Sequence, residues 1–207
     1  MTDSNAYFEA LRSTEYPALD EQNHVYLDFT GGNLCPKSIL EKHVKLLSES
    51  VLGNPHSTNP TSQLATKLVE EVRQQILDFF NASDYECIFT SNASGALKIV
   101  GESYPFSDKS SFVLTSDNHN SVNGIREFCN GKRGKTVYIP MNHEDLSLNE
   151  ETLKSALNAA ASDSNNLFAF PAQSNVSGVK HNLDWISYAQ ERGFDVLLDA
   201  AAYVPTS

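Results

Sequence analysis

Between residues 87 and 200 the sequence alternates short, unbroken apolar runs with longer stretches of helical patterning. The runs are CIFTS (87–91), FVLTS (112–116), TVYIP (136–140), LFAFPAQS (167–174) and VLLDA (196–200). Helical patterning occupies residues near 94–104, 119–130, 149–161 and 183–192. A strand that is apolar at successive positions has no polar face to offer to water, so both of its faces must be covered. Such strands, separated by helices, build a mostly parallel sheet with helices on both faces. The expected fold class is α/β.

The chain before residue 87 is patterned differently. HVYLDFTGGN predicts a short strand and then a turn at Gly31-Gly32. A helix is expected from Pro36, a residue suited to a first helical turn, to about Leu52. GNPHSTNP (53–60) is a loop. Residues 61–80 form the strongest predicted helix: Leu64, Leu68, Val72, Ile76 and Phe80 recur at four-residue spacing, with Val69 and Leu77 widening the stripe.

Composition narrows the functional classes. Fifteen basic against 26 acidic residues give a net charge of −11. Such a chain repels phosphate backbones and anionic bilayers, so neither nucleic acid nor a membrane is an expected partner. No apolar run is long enough for a transmembrane helix, and the start lacks a basic, then apolar, leader pattern. Cys35, Cys87 and Cys129 are odd in number and widely spaced, which suits reduced thiols in the cytoplasm. No H-E-x-x-H or zinc-like Cys/His pairing occurs, so no metal is expected. TSNASGALK holds only Gly95, too few glycines for a dinucleotide fingerprint. GKRGKT (131–136) has Cys129 where a P-loop needs its first glycine, and it precedes a strand.

In open parallel sheets ligands bind outside the carboxyl ends of the strands. The polar residues at those ends are SNASG, DNHNS, QSNVSG and Asp199. Each has a plain structural reading. Ser91 and Ser94 suit helix N-caps, His119 a surface or capping position, and Asn175 a turn. Asp199 is the hardest to dismiss, because a carboxylate at the end of an apolar strand is costly unless paired. Together the four positions also fit one ligand. A phosphate can sit on the helix N-terminus at Ser94, an aromatic ring can stack on His119, a phenolic oxygen can accept from Asn175, and a protonated ring nitrogen can pair with Asp199. Pyridoxal phosphate has all four features.

The stretches YLDFTGGNLCP, GNPHS, DFFNAS, DYECIFTSNASGALKIVGESYPF, DNHNSV, GIRE, FPAQSNVSGVKHNLDWI and VLLDAAAYVPTS occur in family order over about residues 25–206. In these the sequence resembles the class V aminotransferases, pyridoxal phosphate enzymes that include the cysteine desulfurases. Within that family it is most similar to the desulfurase domains of the molybdenum cofactor sulfurase branch. The resemblance implies the large domain of a fold type I pyridoxal phosphate-dependent transferase. It implies an N-terminal segment over 1–58, belonging to the small domain and the active-site entrance, and a partial cofactor-binding domain over 59–207. It assigns Ala93 and Ser94 to the cofactor phosphate, His119 to the pyridine ring and Asn175 to the ring's 3-oxygen. Asp199 would hold the ring nitrogen, with Gln173 nearby. His119 and Asp199 would be the catalytic residues, and His56 and Ser57 would face the substrate entrance.

The implied substrate is an amino acid, L-cysteine in the sulfurase branch, with a molybdenum cofactor-carrying acceptor and a homodimeric assembly. The same four contacts would serve an aminotransferase, an epimerase or a kynureninase-like hydrolase. The family's Schiff-base lysine lies a few tens of residues beyond the position of Asp199, and its persulfide cysteine and C-terminal small domain also lie outside the 207 residues. The expectation is therefore an N-terminal portion of such an enzyme that is inactive alone, with a non-catalytic binding fragment as the alternative.

Overall fold

The computed structural model describes residues 4–29 and 31–206. Thr30, inside the expected HVYLDFTGGN strand and turn, and Ser207, which ends the VLLDAAAYVPTS stretch, lie outside the described residues. The chain divides into two compact units. One holds the described residues up to Leu27 together with Leu34–Phe89; the other holds Asp28–Asn33 and the chain from Thr90 onward.

The first unit is helical among its described residues. Its helices are α1 (Ser4–Glu15), α2 (Pro17–Glu21), α3 (Lys37–Glu49) and α4 (Pro60–Phe79). The Glu15 carboxylate accepts from Ser38 N at 2.9 Å, tying the end of α1 to the start of α3. Helix α4 starts at its proline because Asn59 caps it, accepting from Ser62 N at 3.0 Å. The 53–59 loop folds onto the same turns. Gly53 N donates to Thr61 O at 3.1 Å, and His56 N donates to Thr66 Oγ1 at 2.8 Å.

The second unit contains a four-stranded parallel sheet: β1 (Ser111–Thr115), β2 (Lys135–Ile139), β3 (Asn166–Pro171) and β4 (Phe194–Asp199), in the order β2-β1-β3-β4. The helices around it are α5 (Ala93–Ser103), α6 (Asn120–Asn123), α7 (Ile125–Gly131), α8 (Glu150–Ala160) and α9 (Trp185–Gln190). Alternation along the strands sends side chains to two separate cores. Val113, Ile139, Phe168 and Phe170 pack with Leu153 and Leu157 of α8 and with Trp185 and Ala189 of α9. Phe112, Leu114, Leu167 and Ala169 pack with Leu97 of α5, Val122 of α6, and Ile125 and Cys129 of α7. Phe112, Phe168 and Phe170 are fully buried. Each such ring contributes on the order of 1.5–3 kcal/mol. The α/β sheet with both faces covered is therefore as the apolar runs predict.

Two predicted strands are not formed. CIFTS and the described part of HVYLDFTGGN have no strand hydrogen bonding. The turn after the latter is present, with Gly31 N and Gly32 N both donating to Asp28 O at 3.1 Å. In CIFTS the carbonyl of Cys87 instead accepts from the Arg73 guanidinium, which also lies 5.1 Å from the Phe89 ring centroid. Ile88 is 71% exposed. An apolar run becomes a strand only where another strand lies beside it to complete the ladder.

The turn into β2 depends on Gly134. A Cβ there would lie 2.7 Å from Cys129 Sγ and 2.9 Å from Ser107 O. Because one of these neighbours is backbone, Gly134→Ala is expected to cost about 1–3 kcal/mol. Thermal denaturation reads this as a lowered midpoint; an unchanged midpoint would mean that the turn moves aside freely.

Candidate functional site

The strand order places a switch point between β1 and β3. From β1 the chain moves outward to β2, then crosses to β3 on the other side. The connections leaving the carboxyl ends of β1 and β3 therefore diverge, opening a crevice there. A small cavity of about 130 Å³ lies at this end of the sheet, below the roughly 300–1,000 Å³ usual for small-molecule sites. Its lining includes Ala93, Ser94, His119, Gln173, Asn175 and Asp199. Four sequence-distant segments thus meet in one place, and all six residues proposed to hold a cofactor are among them. His56 and Ser57 belong to the first unit, on the loop before α4. His56 adopts a left-handed backbone there, with φ of 68°.

Helix α5 brings its N-terminus to the cavity. Its cap is Asn92, whose Oδ1 accepts from Gly95 N at 2.8 Å, so neither Ser91 nor Ser94 is the cap. That leaves the Ser94 hydroxyl to reach across to α6, where it lies 2.6 Å from Ser121 Oγ. The first-turn amides of an α-helix lack intrahelical acceptors and carry the positive end of its dipole, which suits an anion.

His119 follows β1, caps α6 and lines the cavity. Its Nδ1 accepts from Ser121 N at 3.2 Å and lies 2.9 Å from Ser121 Oγ. A backbone amide can only donate, so Nδ1 carries no proton, and the neutral ring holds its proton on Nε2. Ser121 Oγ then donates to Nδ1 and accepts from Ser94, giving the chain Ser94–Ser121–His119 a direction.

Gln173 and Asn175 stand on a hairpin, residues 172–181. It is closed by Ser174 N donating to Val179 O at 2.9 Å and by His181 N donating to Ala172 O at 3.0 Å. Gly178, at φ of 75°, makes the tight turn that residues with a Cβ disfavour. Gln173 Oε1 accepts from Thr206 Oγ1 at 3.0 Å, and Asn175 is exposed. Asp199 ends β4, half-buried. Its Oδ1 accepts from Ala201 N at 3.0 Å, and its backbone carbonyl accepts from Ala172 N at 2.8 Å. Among the described residues its Oδ2 has no hydrogen-bond partner.

Behind the cavity loops lies a pair the sequence reading missed. Asp117 Oδ2 and His181 Nε2 are 2.7 Å apart, with side chains 0% and 2% exposed. Burial pushes the Asp117 carboxyl up, but the hydrogen bond from His181, helped by the Thr115 hydroxyl, outweighs it and leaves the group below its ordinary value. The His181 ring also stacks on Trp185, with centroids 5.4 Å apart. Asp117 directly follows an apolar run, the same signal that singled out Asp199; Ser121 carried no comparable signal.

A larger cleft lies in the first unit, but its walls are mainly apolar, formed by residues such as Leu19, Val25, Leu34 and Leu40. Among the described residues no cluster of His, Cys, Asp and Glu is arranged to hold a metal ion.

Comparisons with known proteins bear on the family and the fold. The aminotransferase class-V family matches residues 25–207. Molybdenum cofactor sulfurases of Arabidopsis thaliana and Homo sapiens are 35% and 39% identical over 91% and 95% of the chain. The chain spans about a quarter of the length of these curated relatives, 25% and 24%. An apo structure of a cysteine desulfurase from Thermococcus onnurineus NA1 superposes with a TM-score of 0.78 at 25% identity, covering 93% of this chain and 47% of that one.

Proposed function

The chain belongs to the aminotransferase class-V family, and from that premise we propose that its cavity is the cofactor site of a pyridoxal phosphate-dependent enzyme that takes sulfur from L-cysteine. The observation that carries this reading is the convergence of Ser94, His119, Asn175 and Asp199 on one cavity at the carboxyl edge of the sheet. The groups present fit the cofactor. Donors at the start of α5 suit its phosphate, the His119 ring suits its pyridine face, the Asn175 amide suits its phenolic oxygen, and the Asp199 carboxylate suits its ring nitrogen. When bound, pyridoxal phosphate supplies an electron sink for bonds at the α-carbon of an amino acid.

The chain's own residues set the conditions for that chemistry. Asp199 keeps a proton on the ring nitrogen through its carboxylate. His119 contributes a neutral imidazole whose Nε2–H is fixed by Ser121. Ala93 and Ser94 would anchor the phosphate through first-turn amides, with the Ser94 hydroxyl turning its proton from Ser121 to the phosphate. The names of the relatives support sulfur transfer as the reaction and a molybdenum cofactor as the final acceptor. A homodimer in the cytoplasm completes the reading.

Absorbance titration tests it. Pyridoxal phosphate is expected to bind, and Ser94→Ala is expected to weaken it about tenfold or more, because a hydrogen bond to a charged phosphate is worth about 1.5–3 kcal/mol. Pyridoxal, which lacks the phosphate, should be indifferent to Ser94→Ala. Equal losses for both ligands would place the phosphate elsewhere, and no binding by the unmodified protein would sink the reading.

A further inference from the structure

We propose that the Asp117–His181 pair is a positioning element that clamps the 172–181 hairpin, and with it Gln173 and Asn175, to the end of β1 that leads into His119. As a statement about the cofactor site, this rests on the reading above.

The connectivity carries the argument. Asp117 stands two residues beyond β1 and two before His119; His181 closes the far side of the hairpin. Within the hairpin the backbone bonds run between its own two arms, from Ser174 to Val179 and from His181 to Ala172. They fix its shape. Ala172 N, donating to Asp199 O, and Thr206 Oγ1, donating to Gln173 Oε1, tie its first arm to β4 and the segment after it, but none of these bonds sets its distance from the loop after β1. The Asp117–His181 bond, 64 residues long in sequence, joins the hairpin to the neighbouring strand's loop. Both partners are held from behind, His181 by its stack on Trp185 at the start of α9, and Asp117 by its place two residues beyond β1. A buried charge-assisted bond has a narrow range of length and angle. It therefore holds the arm carrying Gln173 and Asn175 at a set distance from the loop carrying His119. Neither Asp117 nor His181 lines the cavity, so both act through the residues that do.

Hydrogen exchange and ligand titration together test the clamp, in the protein and in His181→Ala, His181→Gln and Asp117→Asn. Without ligand, His181→Ala is expected to speed exchange of the amides of Ser174 and Gly178 about tenfold or more, while β1 and β3 amides keep their protection. Pyridoxal phosphate affinity should fall about tenfold in the same variant. The glutamine side-chain amide occupies the place of Nε2–H, so His181→Gln should restore both readouts to within about threefold. Asp117→Asn keeps a neutral hydrogen bond and should be intermediate. It carries the comparison if His181→Ala does not fold. Equal acceleration in hairpin and core strands, or a glutamine variant indistinguishable from alanine, would overturn the clamp. Should the unmodified protein bind no pyridoxal phosphate, the cofactor reading fails, while the exchange measurement still decides the clamp.

Discussion

Asp199→Ala is expected to weaken pyridoxal phosphate binding roughly 10- to 150-fold, the value of a hydrogen bond to a charged group at about 1.5–3 kcal/mol. The carboxylate is half-buried at the end of β4, with Oδ1 taken by Ala201 N and Oδ2 without a partner among the described residues. A ring nitrogen that keeps its proton meets that oxygen as a charged donor. Alanine also removes the acceptor for Ala201 N, so its effect alone would mix site and turn. Asp199→Asn separates them. Asparagine still accepts from Ala201 N but brings no negative charge to the ring nitrogen, so it should lose most of the same affinity with its fold intact. Asp199→Glu keeps the charge but extends it by one methylene, and partial binding is expected. Absorbance titration of the three variants decides the matter: an asparagine variant that binds like the unmodified protein would show that Asp199 serves the turn and not the cofactor.

Removing Asp117 is expected to lower stability. Asp117→Ala leaves the buried His181 Nε2–H without its acceptor, which costs about 1–3 kcal/mol. The pair also predicts a pH dependence. The folded carboxyl titrates below its ordinary value, which is about 3.9 in the unfolded chain. The unfolded state therefore takes up a proton first as pH falls. The stabilisation is fully present above about pH 4 and is lost as pH falls through the lower folded value. Urea midpoints measured across this range should fall in the unmodified protein and fall less in Asp117→Asn. Glu15 and Asp145 also titrate low, held by amides of Ser38 and Ser147, so they add to the acid slope in both proteins and drop out of the difference. Parallel slopes in the two proteins would mean that the buried pair contributes nothing to acid lability.

The residues proposed to hold the cofactor could be singled out because each stands just after an apolar run or at the helix start that follows one. Asp199 shows this most plainly: its carboxylate ends VLLD, where burial makes an unpaired charge expensive. The same logic applied to Asp117 after FVLTS, yet its meaning stayed hidden. Its partner is His181, 64 residues away, and nothing local marks that histidine as buried. Ser121 was hidden for a different reason. Its role comes from two hydroxyls on α5 and α6 meeting at 2.6 Å, which no spacing within one helix encodes. The cap of α5 was expected at Ser91 or Ser94, since a serine hydroxyl can accept from an amide two or three residues on; the structure instead caps the helix with Asn92.

What the sequence determined by itself is the layering. Unbroken apolar runs such as FVLT and LFAF must be covered on both faces, and helices between them must do the covering, because water cannot solvate either side of such a strand. The tertiary structure alone decided which runs pair. CIFTS has the same composition as the true strands, but hydrogen bonding in a sheet is non-local, and a run without a neighbour forms no ladder. The strand order β2-β1-β3-β4, and with it the crevice where Ser94, His119, Asn175 and Asp199 meet, depends on those pairings between distant segments.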